Sequence, residues 1–417
     1  MIGHITFSVV VLLIVFLLIA VRQVGNIRLQ IWQIMAGGAV AVLLSGQIAP
    51  LQALHAINVD VLLFLFGMFV VGEALEKSGY LFHLSYRLFN RARTVDALVL
   101  LILMCVGASS ALLMNDTLAV IGTPLMLLLG RRHDVNVKVL LFALAFGVTI
   151  GSVMSPIGNP QNLLIALGGN VPDPFTTFFG YLFIPTLINL FAAYLVLRFF
   201  FRREFHPRQL NHTREVIKDR RLAALSRLAL ILIVILVAMK TAAVYFRWPV
   251  DFRLTYIALI AACPVLLFSE KRLEIIKTVD WHTLIFFAAM FVLMASVWDS
   301  GFFQSLVTRS GLPISAVPVV LGAGVLLSQL ISNVPMVALY MPLLMHDGVS
   351  IKALVALAAG STIAGNLLIL GAASNVIILH NAEKKAGVTL TFTEFLKVGL
   401  PLTLINVAVY GLFLTLV

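Results

Sequence analysis

Charged side chains are scarce in this chain. Asp, Glu, Lys and Arg make up 11% of its 417 residues, and hydrophobic residues make up 61%. A soluble domain carries about 25% charged residues, and no soluble core could enclose this much apolar surface. Composition therefore excludes a cytosolic enzyme, a secreted disulfide scaffold and a disordered chain. Cysteine is rarer still. Cys105 and Cys263 both lie inside apolar runs, where a lone thiol packs as a small hydrophobe and no disulfide framework is expected. Catalytic signatures are missing as well: there is no HExxH, no Walker-type glycine loop and no GxSxG elbow. That argues against an intramembrane enzyme and against ATP hydrolysis by this chain. A separate ATPase partner is compatible with the sequence but not indicated by it. No cofactor, nucleic acid partner or metal beyond a coupling Na+ is expected.

What is present is a series of continuous apolar runs, with a mean hydropathy of +1.05. Transmembrane barrels alternate lipid-facing and lumen-facing residues, so continuous runs point to an all-α polytopic membrane protein. The runs lie near 5–21, 30–48, 60–76, 96–113, 115–130, 139–168, 180–201, 228–246, 254–268, 281–298, 316–331, 334–345, 353–379 and 398–417. The first lacks the basic n-region and small-residue cleavage site of a signal peptide and reads as a span. A full span takes about 20 residues. The pairs 96–113/115–130 and 316–331/334–345 are split by polar, helix-capping residues and read as re-entrant hairpins. The runs 139–168 and 353–379 are interrupted by SPIGNPQN (155–162) and GNLLILGAASN (365–375). Broken backbone at membrane depth is tolerated only where protein or a wet cavity surrounds it.

Folding the hairpins back to the side they enter from places 24 of the 29 basic residues on one face, and the net charge of +11 is concentrated there. By the positive-inside rule this gives ten spanning helices, two hairpins and both termini outside the cytoplasm, in the cell's inner (plasma) membrane.

The two halves resemble each other. GMFVVGEALEKSG (67–79) aligns with AMFVLMASVWDSG (289–301), and GVTIGSVMSPIGNPQN (147–162) aligns with GSTIAGNLLILGAASN (360–375). The second alignment pairs Gly147 with Gly360, Ile150 with Ile363, Gly158 with Gly371 and Asn162 with Asn375. The expected organisation is a first repeat over 1–203, a basic cytoplasmic linker over 204–227 and a second repeat over 228–417. Each repeat holds five spans and one hairpin, so the second copy is inverted. Inverted repeats with discontinuous helices point to a secondary transporter with its solute near the midplane. An ion channel, the rival class, would need a continuous pore instead.

Polar groups gather at four breaks: MNDT (114–117), SPIGNPQN (155–162), SNVP (332–335) and GAASN (371–375). Interrupted helices leave free N–H groups at one end and free carbonyls at the other, suited to anions and cations respectively. Asn both donates and accepts. The candidate solute-binding residues are Asn115, Thr117, Asn159, Asn162, Ser332, Asn333, Ser374 and Asn375. The candidate coupling-ion residues are Asn115, Asp116, Gly158, Asn333 and Gly371. Asp116 is the acidic residue at a mid-membrane break, where a bare charge costs about 2.5–3.5 kcal/mol on insertion scales.

SNVPMVALYMP, the NDT tip and PIGNPQN resemble the ion transporter superfamily with citrate-transporter-like domains. That group includes divalent anion:sodium symporters, arsenical pump membrane proteins and sodium/proton antiporters. The symporter tips read Ser-Asn-Thr, whereas this chain has Val334 after Ser332 and Asn333, and GAASN lacks the symporter proline. The Asn-Asp tip is more similar to the arsenical pump proteins. The resemblance implies an elevator-type secondary active transporter, dimeric in lipid, for a small anionic solute coupled to Na+ or H+. Its alternatives are arsenite/antimonite efflux and Na+/H+ exchange.

The basic-residue split makes a direct prediction. With Cys105 and Cys263 replaced by Ser, a single cysteine introduced as His212→Cys should resist an impermeant thiol reagent applied to intact cells and react only after lysis. Labelling from outside would overturn the topology.

Overall fold

The computed structural model describes the chain apart from residues 1–5, 22, 25–26, 29, 81–82, 84–88, 90–91, 206–216, 247–252, 303–304, 306–312, 347–349 and 417. The described residues are helical apart from loops and a two-residue antiparallel ladder, β1 (Gln23–Val24) with β2 (Ile27–Arg28). It follows α1 (Phe7–Val21) and leads into α2 (Ile31–Leu44). Next come α3 (Pro50–Ala56) and α4 (Val59–Ser78), bent by 51° against each other. The first hairpin is α5 (Val95–Ser110) and α6 (Asn115–His133), and the first broken helix is α7 (Val137–Ser152) and α8 (Pro160–Gly168). Then α9 (Pro174–Phe200) closes the first half.

The second half opens with α10 (Arg220–Tyr245), α11 (Leu254–Phe268), the short α12 (Arg272–Thr278) and α13 (Trp281–Asp299). Its hairpin is α14 (Val317–Ile331) and α15 (Asn333–His346). Its broken helix is α16 (Ile351–Ile363), two 3₁₀ turns (Ala364–Asn366 and Ile369–Gly371) and α17 (Ala373–Ala386). The chain ends in α18 (Phe392–Leu416). His212 and the rest of residues 206–216 of the expected linker lie outside the described residues. Its last part, from Arg220, is already helix α10, because Asp219 caps that helix by accepting from the Leu222 N–H at 2.9 Å. That N–H, and then the Lys271 ammonium 3.0 Å away, hold the Asp219 carboxyl below the usual carboxylate range.

The helices start where their capping chemistry predicts. Asn58, Thr94, Asn136, Asp280 and Ser350 each accept a first-turn N–H with their side chains, the role for which Asn, Asp, Ser and Thr are suited. Gly79 and Gly387 end α4 and α17 in the left-handed conformation. Among the described residues, α9, residues 220–240 of α10, α13 and α18 are each long and apolar enough to cross a membrane alone, and the α3–α4 pair passes jointly. Helices α1, α2 and α11, of 14–15 residues, are shorter than the full spans expected from their apolar runs.

Packing divides the helices into two groups. In one, α4 lies against α11 and α10, and α13 lies against α2 and α1. In the other, α5 and α6 pack on α7, and α14 and α15 pack on α16, with α9 and α18 alongside. The breaks cross over, so that α17 packs on α6 and α8 on α15. Each of these pairings has its counterpart at aligned positions in the other half. At the centre, α7 is buried on every side from Val139 to Ser152, and α16 from Ala353 to Ile363. Large apolar side chains such as Phe191, Leu195, Phe199, Leu404 and Leu412 are exposed on the outer helices α9 and α18, as lipid-facing surface requires.

Two helices can approach at α5–α7 because both carry glycine there. A Cβ on Gly151 would stand 2.2 Å from the Gly107 Cα, the small-residue contact that brings membrane helices together. Gly151→Val should therefore lower the melting temperature in detergent, by overpacking of about 1–3 kcal/mol or more. Gly180→Ala, inside α9 where nothing stands within 4 Å, should not lower it, since Ala is the better helix former.

Candidate functional site

Four of the helix starts in the second packing group meet around one cavity of about 630 Å³. Its wall carries Asn115 and Asp116 from the first turn of α6, Pro160 and Gln161 from α8, and Asn333 and Val334 from α15. Ala372, Ala373 and Val376 come from the start of α17. The starts of α2 and α13, with Gln30, Trp32, Asp280 and His282, form its mouth. The Trp32 and His282 rings stack there with centroids 5.1 Å apart. Helix N-termini present free N–H groups and the positive ends of their dipoles, so this convergence is built to hold negative charge or hydrogen-bond acceptors.

The hairpin tips contribute unequally. The Asn115 N–H donates to the Gly158 carbonyl at 2.9 Å, and its side-chain oxygen accepts from the Asp116 N–H at 2.8 Å. The first tip is thus tied to the first break. At the second tip Ser332 adopts φ +69°, ψ 159°, a region normally reserved for glycine and costing about 1–3 kcal/mol for other residues. Beside it Asn333 is 6% exposed, lines the cavity, and its Oδ1 has no hydrogen-bond partner.

A profile of the citrate transporter family matches residues 8–351. This chain belongs to the citrate transporter family. The 46 kDa membrane protein of Mycobacterium leprae is 28% identical over 381 residues, covering 86% of each chain. The silicon efflux transporter LSI3 of Oryza sativa subsp. japonica is 26% identical over 442 residues, covering 89% of this chain and 90% of its own. Among solved structures, the YdaH transporter of Alcanivorax borkumensis superposes with a TM-score of 0.59 at 16% identity, covering 98% of this chain and 97% of its own. That likeness concerns the fold. The protein is thus a multi-pass membrane transporter, not an enzyme.

In this citrate transporter family member, the structure brings only some of the candidate residues to the cavity wall. Asn115, Asp116, Ser332 and Asn333 line it together. Thr117 instead packs against Gly72 of α4 and faces a smaller cavity of about 60 Å³ shared with Glu73, Glu76, Asp116 and Asp280. Asn159 and Asn162 are fully buried inside the first break. Asn162 Nδ2 donates to the carbonyls of Ser152 (3.0 Å), Val153 (3.2 Å) and Ser155 (3.0 Å). Asn159 caps α8 and donates to Ser152 Oγ at 2.9 Å. Ser374 and Asn375 are likewise buried, at the start of α17. A Cβ on Gly158 would fall 2.5 Å from the Ser152 carbonyl oxygen, and one on Gly371 would fall 2.6 Å from that of Ala364. These two glycines let the backbone pass at close quarters.

Sequence reasoning missed Gln161, Asp280, His282 and His380, which all line the cavity. Asp280 carried a readable signal. It caps α13, accepting from the Thr283 N–H and hydroxyl at 3.0 and 2.6 Å, at the position that aligns with the cap Asn58 of α4. Among the described residues no group of three or more His, Cys, Asp or Glu side chains is placed to hold a metal ion.

Strain at Ser332 predicts a specific pair of outcomes. Ser332→Gly should melt higher than Ser332→Ala, by about 1 kcal/mol or more, since only glycine relieves the positive φ. Equal stabilities would show that the tip carries no strain.

Proposed function

We propose that this protein is a secondary active transporter that moves a small anionic solute by elevator-type alternating access, coupled to Na+ or H+. The observation that carries the reading is the meeting of four helix N-termini around a cavity that holds the unpartnered Asn333 amide oxygen. The positive ends of these helices attract the solute's negative oxygens, and Asn333 Oδ1 takes a hydroxyl or acid hydrogen. A hydroxylated carboxylate offers both, which agrees with membership of the citrate transporter family.

The two packing groups support the elevator. Hairpins, broken helices, α9 and α18 form the moving body, and α1–α4 with α10–α13 form the scaffold. The halves act as inverted repeats, 1–203 and 228–417, and the scaffold is the surface on which two copies would form a dimer in lipid. With the basic loops on the cytoplasmic side, the mouth formed by Gln30, Trp32 and His282 faces the cytoplasm.

A second reading has its own support. Asp116 and Asp280 both face the cavity and oppose a bare anion, whereas a neutral hydroxy acid of a metalloid would donate to them. Arsenite or antimonite export fits that chemistry, and one relative is named for silicon efflux. Uptake into proteoliposomes, screened over carboxylates, metalloid acids and cations with Na+ and H+ gradients imposed separately, decides between them.

Asp116 is the coupling residue in this proposal. Its charge at membrane depth needs compensation in each transport state, and a proton or Na+ supplies it. Asp116→Asn keeps the shape and removes the charge. Expected is normal membrane yield, loss of transport against a gradient, and retained solute exchange. Wild-type concentrative transport with unchanged ion and pH dependence would place coupling elsewhere.

A further inference from the structure

The likeness between the halves extends to two short surface helices. Continuing the register that aligns 67–79 with 289–301 sets α3 (Pro50–Ala56) against α12 (Arg272–Thr278) residue for residue, and the cap Asn58 against the cap Asp280. Each is a seven-residue helix laid ahead of a span. Each buries one aligned side chain, Ala53 or Ile275. Each also turns an aligned leucine outward, Leu51 at 65% exposure and Leu273 at 68%. A helix placed in this way lies in the membrane interface, with its apolar side at the headgroup boundary.

The two helices differ in charge. PLQALHA carries no Lys or Arg, whereas RLEIIKT carries Arg272 and Lys277 and follows Lys271. The neighbouring cations are engaged: Lys271 pairs with Asp219 at 3.0 Å, Lys77 with Glu274 at 2.9 Å, and Arg221 with Glu270. Arg272 and Lys277 are exposed, and neither forms an ion pair among the described residues.

Helical spacing explains the split. Positions 271, 274, 275 and 278 share one side of α12, and 272, 273, 276 and 277 share the other. The inner side holds buried Ile275 and the paired Lys271 and Glu274. The outer side reads basic, aliphatic, aliphatic, basic. Exposed Trp281 follows, its Nε1 donating to the Ile276 carbonyl at 2.9 Å, and Phe268 is exposed at the end of α11. Tryptophan is enriched at the membrane–water interface. Apolar side chains set into the acyl boundary hold the two cations at phosphate depth.

We infer that the outer side of α12 binds an anionic phospholipid of the leaflet on the side of the basic loops, with its headgroup phosphate on Arg272 and Lys277 and its acyl chains over Leu273, Phe268 and Trp281. Helix α3, with the same leucine and no cation, binds none. The site stands apart from the cavity and does not depend on the solute assigned above, so binding is read without transport.

The test is thermal melting of the purified full-length protein in dodecyl maltoside. Dioleoylphosphatidylglycerol is titrated into the micelles, with dioleoylphosphatidylcholine as the neutral comparison. Wild type should show a saturable rise in melting temperature with the anionic lipid alone, of the form expected for a ligand of the folded state, and the rise should weaken as NaCl is added. Arg272→Gln combined with Lys277→Gln should move the midpoint to about tenfold more phosphatidylglycerol or beyond, from about fivefold per basic residue at an anionic surface. Arg272→Lys combined with Lys277→Arg should keep the wild-type midpoint. Arg131→Gln combined with Lys397→Gln removes the same charge from exposed positions on α6 and α18 and should also keep it. A wild-type melting temperature that responds alike to both lipids overturns the proposal. So does a Gln pair at 272 and 277 that titrates as wild type, or an equal loss in the pair at 131 and 397, which would reduce the effect to net charge. An equal rise with sodium phosphate in place of lipid overturns it as well, by making the ligand a free anion.

Discussion

A backbone that leaves its helix at membrane depth has to find its hydrogen bonds inside the protein, and the rest of this fold depends on how that is done. In the first break one side-chain amide, Asn162 Nδ2, takes three carbonyls. The position an amide can fill in this way is fixed by the chain passing close at Gly158. The Gly158 carbonyl then receives the Asn115 N–H, so the hairpin tip and the break move together. At the second break, Asn366 donates to Asn406 and Asn406 to Asn189, both at 2.9 Å. These buried amides bind the break to α18 and α9. The body around the cavity is held by polar bonds inside an apolar environment, where leaving one such group unmade costs about 1–3 kcal/mol.

Electrostatics at the cavity set helix dipoles against carboxylates. Asp116 and Asp280 each sit at a helix start, in α6 and at the cap of α13, where the dipole offsets part of a negative charge. The same helix ends would otherwise be free for a solute. Any anion bound here competes with these two carboxylates for the positive ends, so occupancy of the cavity and the charge on Asp116 are linked through shared partners. In the proposed coupling through Asp116, that linkage, rather than direct contact, would let solute and coupling ion sense each other in a site whose described wall carries no Lys or Arg.

Much of the architecture was legible in the sequence because lipid imposes one rule along the whole chain. Apolar runs located the helices, and Asn, Pro and Gly inside them located the breaks at Gly158 and Gly371. What was not legible is direction. Asn162 and Asn333 look alike as Asn residues at breaks, but one is turned inward to three carbonyls and the other faces the cavity with a free oxygen. That choice rests on whether carbonyls lie within reach across the break, a tertiary fact. Asp280 and His282 were missed for a related reason. They stand at the cap of an ordinary-looking span, and only the packing of α13 against α2 carries them to the cavity mouth. For α11 the run 254–268 and the helix coincide, whereas the run 30–48 continues past the end of α2 at Leu44, since hydropathy counts residues in loops that flank a helix as readily as those within it.

Aligned halves give the two breaks the same backbone task, and their side chains answer it differently. Asn159 and Gln161 supply amide hydrogens to Thr362, and Ala372 and Ser374 have no amide side chain in their place. A break filled with its own amides carries its satisfaction with it through any rigid-body motion, because every partner belongs to the same packed unit. In the second break the Thr149 and Ser374 hydroxyls and Asn375 Oδ1 make no such bonds. The difference separates a break bonded through its own amides from one with three unpartnered buried oxygens. It arises at two of the eleven positions at which the sixteen-residue segments differ, against a background in which Thr149 and Thr362, Gly158 and Gly371, and Asn162 and Asn375 are the same residues. Identity at those positions preserves the fold of each break, and the substitutions beside them decide how many hydrogen bonds each break makes from its own side chains.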